Sequence, residues 1–169
     1  MEYFDILINS DDAINVVNTP HITTFNLGNV YDFAPNAYKF QQADYCYVKV
    51  KFFEVKDTAH GAGVILININ NALPNSARTE LLSASPKNLT QSGLIGIVPT
   101  SSSSHTYSSN TYDNDFVKCS NILNGNITFT LTNETGVNLS LNTNKPFTML
   151  LCVAFEKEAD LLNQPIVNY

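Results

Sequence analysis

The chain has 169 residues, a formal net charge of −6 and only 14% charged residues, against roughly 25% in a typical soluble domain. The acidic balance and the scattered lysines exclude a nucleic-acid-binding role, which needs clustered basic side chains to neutralise phosphates. The missing charge is replaced by neutral polar side chains, including 22 Asn. Such a composition is typical of proteins that pack against copies of themselves or lie outside a cell, and an A+T-rich genome is an equally good explanation of it.

The length and the apolar runs set the expected organisation. A chain of 169 residues is long enough to bury one core. We expect one domain over residues 1–157, followed by a C-terminal tail or arm over residues 158–169. The first residues show no basic segment followed by a long apolar run, so no signal peptide is predicted. The longest apolar run, Met149–Phe155, is too short to span a membrane.

Three cysteines, Cys46, Cys119 and Cys152, form an odd number with no metal-ligand spacing. Cys46 and Cys152 lie in apolar stretches, where a thiol behaves as a small hydrophobic side chain. All three are therefore expected to be reduced, which indicates folding in a reducing compartment.

Period-two alternation of apolar and polar residues, which is typical of half-buried strands, recurs along the whole chain. It predicts strands at Tyr3–Asn9, Ile22–Leu27, Tyr45–Val55, Val64–Ile69, Gly93–Val98, Phe116–Cys119, Asn126–Leu131, Val137–Leu141 and Phe147–Glu156. The nearly all-apolar strand Val64–Ile69 is expected to be covered on both faces. Between the strands we expect irregular chain at Asn29–Ala43, a short helical turn at Ala77–Leu82, and a loop or edge excursion at Ser101–Asn110.

Alternation also predicts which side chains share a face of the longest strand, Tyr45–Val55. One face is expected to carry Cys46, Val48, Val50 and Phe52. The other is expected to carry Tyr45, Tyr47, Lys49, Lys51 and Phe53. Lys49 and Lys51 then lie on the solvent face, and with the nearby Lys56 they form the densest basic group of the chain.

Residues 126–141 predict a hairpin. Ile127, Phe129 and Leu131 share one face of the first strand, and Val137, Leu139 and Leu141 continue the alternation in the second. Gly136 can adopt the positive φ that a tight connection requires.

Many short strands, uneven loops and no amphipathic helix predict an all-β fold, an antiparallel β-sandwich in the form of a single jelly roll of about eight strands. An immunoglobulin-like sandwich is disfavoured, because its Cys–Trp–Cys hallmark cannot exist in a chain without Trp.

The residue types that carry chemistry form no catalytic or metal-binding pattern. His21, His60 and His105 are isolated from one another. Asp113, Asn114 and Asp115 offer oxygens to Ca²⁺ but lack the spacing of an EF-hand loop, so a polar loop is favoured. The short Gly61–Gly63 stretch predicts a turn and not a phosphate-binding loop. We therefore expect a protein that is not an enzyme, with no catalytic residue, cofactor or metal site.

Two groups of side chains would matter if the protein bound or cleaved sugars. A hydrolase would need Asp5, Glu54 and Glu134 to converge across a cleft. Exposed aromatic side chains could stack on sugars or anchor a protein interface, and the candidates are Tyr45, Tyr47, Tyr107 and Tyr112.

The order of these elements resembles the single jelly-roll minor capsid and penton proteins of large double-stranded DNA viruses, virophages and related elements. The similar parts are FDILINS at residues 4–10, YVKVKFFEV at 47–55, LIGIVP at 94–99, and the closing pattern of Ile127, Phe129, Leu131, Gly136, Leu139, Leu141 and Phe147–Phe155.

The resemblance implies a structural protein of an icosahedral capsid, located in the virion capsid and assembled inside the host cell. Its implied partners are the major capsid protein, other capsid components and copies of itself in a trimer or pentamer. The candidate contact regions are Asn29–Ala43, Asn70–Asn88, Ser101–Asp115 and Glu158–Tyr169. The alternative is a carbohydrate-binding jelly roll, either a lectin-like module or the head of an attachment fibre.

Overall fold

Antiparallel strands make up most of the computed structural model, which describes residues 1–14, 21–28, 30–57, 63–72, 79–81, 89–91, 93–100, 105–108, 116–142 and 145–156. The strands in these ranges are β1 (Glu2–Asn9), β2 (Ile22–Asn26), β3 (Tyr45–Val55), β4 (Val64–Ile69), β5 (Thr79–Leu81), β6 (Leu89–Gln91), β7 (Leu94–Pro99), β8 (His105–Ser108), β9 (Val117–Ser120), β10 (Asn126–Thr132) and β11 (Phe147–Phe155). The described helical elements are the α-helix α1 (Val30–Phe33) and 3₁₀ turns at Ser10–Asp12, Pro35–Phe40 and Ile122–Asn124.

The strands pair in a nested order. β1 pairs with β11, β2 with β10, β3 with both β8 and β9, and β4 with β7, all antiparallel. Further ladders join β11 to β3 and β10 to β4. One sheet therefore runs β1-β11-β3 and ends in β8 and β9, and the other runs β2-β10-β4-β7. The first described strand therefore pairs with the last, and the other pairs are nested inside this one.

The two sheets bury their facing side chains in one core, which confirms the predicted antiparallel β-sandwich. Ile127, Phe129 and Leu131 of β10 are buried, as their alternation predicts. From the other sheet, the rings of Phe53 and Phe147 stack at 5.4 Å. Gly96 of β7 faces the other sheet, since a Cβ at Gly96 would make an ordinary contact of 3.5 Å with Cγ2 of Val50.

A β-bulge in β3 changes the predicted faces of that strand. Phe52 lies opposite Leu150 and Val50 opposite Leu151, so Lys51 is an extra residue with no partner position on β11. The alternation therefore shifts by one residue at Lys51. Phe53 is buried in the core and Phe52 is half-buried on the outer face, so the predicted faces of these two residues are wrong.

In the hairpin predicted from β10 onward, the turn forms but the second strand does not. Gly136 has φ 79°, and the Asn133 side chain accepts hydrogen bonds from the N–H groups of Thr135 and Val137. Beyond the turn a single bridge joins Thr132 to Asn138. β2 already lies beside residues 126–130 of β10, so little of that edge remains for the returning chain. Leu139 is nevertheless buried as predicted.

Two connections also differ from the sequence predictions. The stretch expected to be irregular before β3 contains α1 and the 3₁₀ turn Pro35–Phe40, and Phe40 from that turn stacks on Phe155 at 4.4 Å. The stretch expected to be helical contains β5, which pairs with β6. Tertiary pairing overrides a weak local preference in such short segments.

β4 agrees with its predicted burial on both faces. It lies inside its sheet between β10 and β7. Ile65 and Ile67 face the core, and Leu66 on the opposite face is also buried.

Candidate interaction surfaces

The outer face of the sheet formed by β1, β11, β3 and β9 carries aromatic side chains in register. Cross-strand pairing places Tyr3 opposite Ala154, Ala154 opposite Tyr47, and Tyr47 opposite Lys118. Tyr45 lies two residues before Tyr47 on the same side of β3, and the two rings meet edge to face at 6.5 Å. We call the outward side chains Tyr3, Tyr45, Tyr47 and Phe116 the aromatic face.

Small residues at the centre of the sheet explain how these rings meet. Ala154 of β11 is fully buried although its side chain points outward. Although β11 and β3 lie between them, Tyr3 and Phe116 approach over this small side chain to a centroid distance of 6.1 Å. Contacts between offset aromatic rings at this distance stabilise an exposed cluster beyond simple area burial.

Lysine side chains lie over these rings. The Nζ of Lys118 is 3.6 Å from the centroid of Tyr45, and the Nζ of Lys49 is 5.1 Å from the centroid of Phe116. Both distances fall within the range of cation–π attraction. Lys49 is buried, so its predicted place on a solvent face is wrong. Lys51 stays exposed and forms an ion pair of 2.7 Å with Asp5.

Tyr47 is also held by a carboxylate. Its hydroxyl donates a hydrogen bond of 2.6 Å to Oε1 of Glu156. This hydrogen bond, with burial as a second cause, raises the pKa of Tyr47 to about 12. The phenol therefore stays protonated, and the aromatic face keeps a fixed donor–acceptor pair at its edge.

A small pocket lies where the aromatic face meets the end of the sandwich. Its volume is about 230 Å³, and the stacked rings of Phe40 and Phe155 contribute to its wall. Its remaining lining residues are Gln42, Ala43, Asp44, Tyr45 and Glu156.

A second depression on the same end is larger and more polar. This groove of about 480 Å³ is lined by Asn26, Gly28, Tyr31, Gln41, Gln42, Leu123, Asn124 and Gly125, and we call it the amide groove. The Tyr31 hydroxyl donates to Asn124 at 2.7 Å, and Tyr31 stacks on the exposed ring of Tyr38 at 5.3 Å. Side-chain amides both donate and accept hydrogen bonds, as recognition of neutral hydroxyl groups requires.

Asn121 positions both walls of the amide groove. Its side-chain NH₂ donates to the carbonyls of Phe40 and Ala43, at 2.9 and 3.0 Å. Its side-chain oxygen accepts from the Leu123 N–H at 3.1 Å. One buried amide therefore ties the turn before β3 to the turn before β10.

The three carboxylates considered for hydrolysis have separate neighbours. Asp5 pairs with Lys51, whereas Glu134 accepts hydrogen bonds from the N–H groups of Gly63 and Val64. Glu54 lies on β3 opposite Thr148. Hydrogen bonds from backbone N–H groups, first its own and then that of Val64, lower the pKa of Glu134.

The cysteines agree with their prediction. Cys46, Cys119 and Cys152 are all free and buried. Burial is the main cause that raises the pKa of all three thiols, to about 11 for Cys46 and for Cys152. They are structural side chains in this state and not reactive thiolates.

The remaining predicted positions divide between described and undescribed chain. His21 is described, and burial lowers its pKa. His105 and Tyr107 belong to β8, where only the backbone is described. His60, Tyr112 and the Asp113–Asp115 group lie outside the described residues, as does the tail over residues 158–169.

Within the described ranges, no group of three His, Cys, Asp or Glu side chains is placed to hold a metal ion. No helix in the same part of the chain has the length and apolar character to cross a membrane. A comparison with protein-family models and another with curated protein sequences find no match.

Sequence reasoning identified Tyr45 and Tyr47 but missed most of both surfaces. Tyr3 and Phe116 are distant in sequence, and only the nested strand order places them together across β11 and β3. Amide side chains from three separate segments form the amide groove. An Asn-rich composition signals such a surface without indicating which residues meet.

Proposed function

We propose that the protein is a structural component of an icosahedral virus capsid, a minor capsid or penton protein that acts through protein–protein contacts. This class of protein is proposed because the order of strands in the chain resembles that of single jelly-roll minor capsid and penton proteins. The observation that supports it best is the aromatic face, a cluster of rings on the outside of a rigid sheet. Aromatic side chains in such clusters are the usual anchors of protein interfaces.

The proposed mechanism is mechanical. The sandwich supplies a fixed frame, and the aromatic face packs against a neighbouring copy or the major capsid protein. Tyr45 is the preferred anchor, because it is partly exposed and its ring already lies under the Lys118 ammonium. Neutral amides at the end of the sandwich, including the exposed side chains of Gln41 and Gln42, are available to hydrogen-bond a neighbour. Repeated contacts of one kind around an axis close into a ring.

The test is the mass of the purified protein by light scattering over a wide concentration range. We expect a discrete trimer or pentamer, and we expect Tyr45→Ser to weaken its association at least tenfold through loss of the anchoring ring. Val137→Ser is the matched control, since Val137 is an exposed apolar residue in the turn after β10, away from the aromatic face. A protein that is monomeric at every concentration and absent from purified virus particles would contradict the proposal.

A second candidate function is carbohydrate binding in the amide groove. The specific observation is the combination of four side-chain amides with the exposed ring of Tyr38, which stacks on Tyr31 at the groove. Such a site would bind a neutral sugar by stacking and by hydrogen bonds to its hydroxyl groups. A glycan array, run with and without Ca²⁺, tests it. Binding that is lost in Tyr38→Ala supports it, and an array without hits contradicts it.

A further inference from the structure

The edge strand β1 differs from the other described sheet edges. It has eight residues and pairs with β11 in an unbroken register from Glu2 to Asn9. No described strand lies on its other side. An edge strand of this length leaves a row of backbone N–H and C=O groups available to another chain.

The other described edges carry features that discourage pairing. β8 and β9 have four residues each, and β2 has five. β7 is interrupted by a register shift at Ile95 and ends in Pro99, which has no N–H to donate. Short strands, bulges and proline are three of the features by which proteins protect sheet edges, together with charged side chains. β1 lacks all three.

Outward side chains on β1 are apolar at both ends and charged in the middle. Leu7 is 70% exposed and Tyr3 is 58% exposed, and Asp5 lies midway between them. Asp5 is already partnered by Lys51 across the sheet. The exposed pattern is therefore nearly symmetrical about Asp5.

We propose that β1 pairs with β1 of a second copy, antiparallel and about a twofold axis at Asp5. In this register Tyr3 lies opposite Leu7 of the other copy, and Leu7 lies opposite its Tyr3. In each copy Tyr3 is then covered by Leu7 of the other copy, and Leu7 by its Tyr3. The same surface is used on both copies, as an isologous interface requires. Shifting the register by two residues would instead place Asp5 opposite an apolar side chain.

One electrostatic contribution opposes this register, because the two Asp5 carboxylates meet at the axis. Each has its own Lys51 ammonium 2.7 Å away, which offsets the repulsion between them. Since the exposed pattern of β1 complements itself, the partner is a second copy of this chain, and backbone hydrogen bonds between the strands supply the attachment.

This contact uses the edge of β1, shares only Tyr3 with the aromatic face of the proposed function, and does not depend on the protein being a capsid component. A single strand of eight residues buries less surface than the roughly 800 Å² per partner of a stable dimer. The dimer is accordingly weak in isolation and gains strength where other contacts hold the copies together.

Cysteine cross-linking tests the register directly. Directly opposed residues of an antiparallel pair have Cα atoms about 5 Å apart, which suits a disulfide. Asp5→Cys is made together with Cys152→Ala, because Cys152 lies opposite Asp5 on β11 and could otherwise bond to it within the chain. The remaining native cysteines are buried and leave little background.

Under mild oxidation at high protein concentration, we expect this variant to form a disulfide-linked dimer. Leu7→Cys alone is the matched control. Its two thiols lie four residues out of register, about 14 Å apart along the strand, so we expect at least tenfold less dimer. Mixing Tyr3→Cys with Leu7→Cys should restore cross-linking between the two chains. Equal cross-linking of both single-site variants, or none in any of them, overturns the proposal.

A second measurement avoids new cysteines. We expect Leu7→Asp to raise the dimer dissociation constant at least tenfold in analytical ultracentrifugation, because it removes the apolar cover of Tyr3 and adds carboxylates beside those of Asp5. Ile97→Asp is the control, since Ile97 is an exposed apolar residue on β7, an edge of the other sheet. Equal effects of the two substitutions, with unchanged thermal midpoints, contradict pairing through β1.

Discussion

Gly93 occupies a position in which no larger residue fits. A Cβ on Gly93 would lie 2.0 Å from the carbonyl oxygen of Ile69 and 2.9 Å from Cβ of Ala72. The Gly93 carbonyl also accepts a hydrogen bond from the Ile69 N–H at 2.9 Å, so the two backbones cannot separate without losing it. This close approach holds the end of β4 against the start of β7.

We therefore predict that Gly93→Ala lowers the free energy of unfolding by about 3 kcal/mol, because the new methyl group forces the backbone apart. Gly125→Ala is the matched control. Nothing lies within 4 Å of a Cβ at Gly125, and its φ of −175° is extended backbone that any residue adopts. We expect that control to change stability by less than about 0.5 kcal/mol. Urea unfolding followed by tyrosine fluorescence measures both, and equal midpoints for the two variants would refute the prediction.

For Lys49, the sequence predicts the face of the strand but not the burial of the side chain. Alternation correctly places its side chain on the outward side of β3, next to Tyr47 in the strand. Burial of that side chain depends on Phe116, which comes from a segment 67 residues later and covers it. Periodicity assigns a residue to a face of its own strand, but it contains no information about what lies over that face.

β3 carries two alternating halves joined by one inserted residue. Cys46, Val48 and Val50 face the core before the bulge, and Phe53 and Val55 face it afterwards. Removing Lys51 from the sequence would make this pattern a strict alternation. Lys51 therefore belongs to the bulge alone, and its described ion pair joins the exposed side chain of Asp5.

From this we predict that two single-residue deletions in β3 destabilise the protein to very different extents. Deleting Lys51 should cost about 1 kcal/mol, since it removes a surface ion pair but keeps every core residue on its face. Deleting Lys49 should prevent folding or cost more than about 4 kcal/mol, because strict alternation then places the Lys51 side chain in the core and turns Val50 outward. Circular dichroism and urea unfolding of the two deletion variants make the comparison. Similar stabilities would show that the bulge has a different role.

Prediction of strands from sequence is most reliable where the apolar pattern is continuous. The bounds of β3 and β4 are the same as those of the predicted strands Tyr45–Val55 and Val64–Ile69. The pattern in Val137–Leu141 predicted a strand that does not form, because β2 lies beside most of that edge of β10. Alternation indicates that a segment can pair, whereas competition for an edge decides whether it does.

The nested topology makes the two ends of the described fold depend on each other. β1 is attached through its ladder with β11, which runs from Glu2 opposite Phe155 to Asn9 opposite Thr148. Phe4 and Phe155 also meet edge to face at 6.2 Å within the sandwich. The first and last strands can pair only after the intervening chain has brought them together, so formation of this sheet requires long-range contacts.

This dependence leads to a prediction about where the folding unit ends. β11 ends at Phe155, and its ladder with β1 ends at the same residue. We predict that a chain ending at Lys157 folds with a thermal midpoint within about 2 °C of the full chain, whereas a chain lacking residues 1–9 does not fold. The second truncation removes the buried Ile8 and exposes the whole edge of β11 to water. If the tail serves assembly, the shortened chain will keep its fold, but light scattering at high concentration will show smaller assemblies than those of the full chain. A large fall in midpoint after removal of residues 158–169 would instead place the tail within the folding unit.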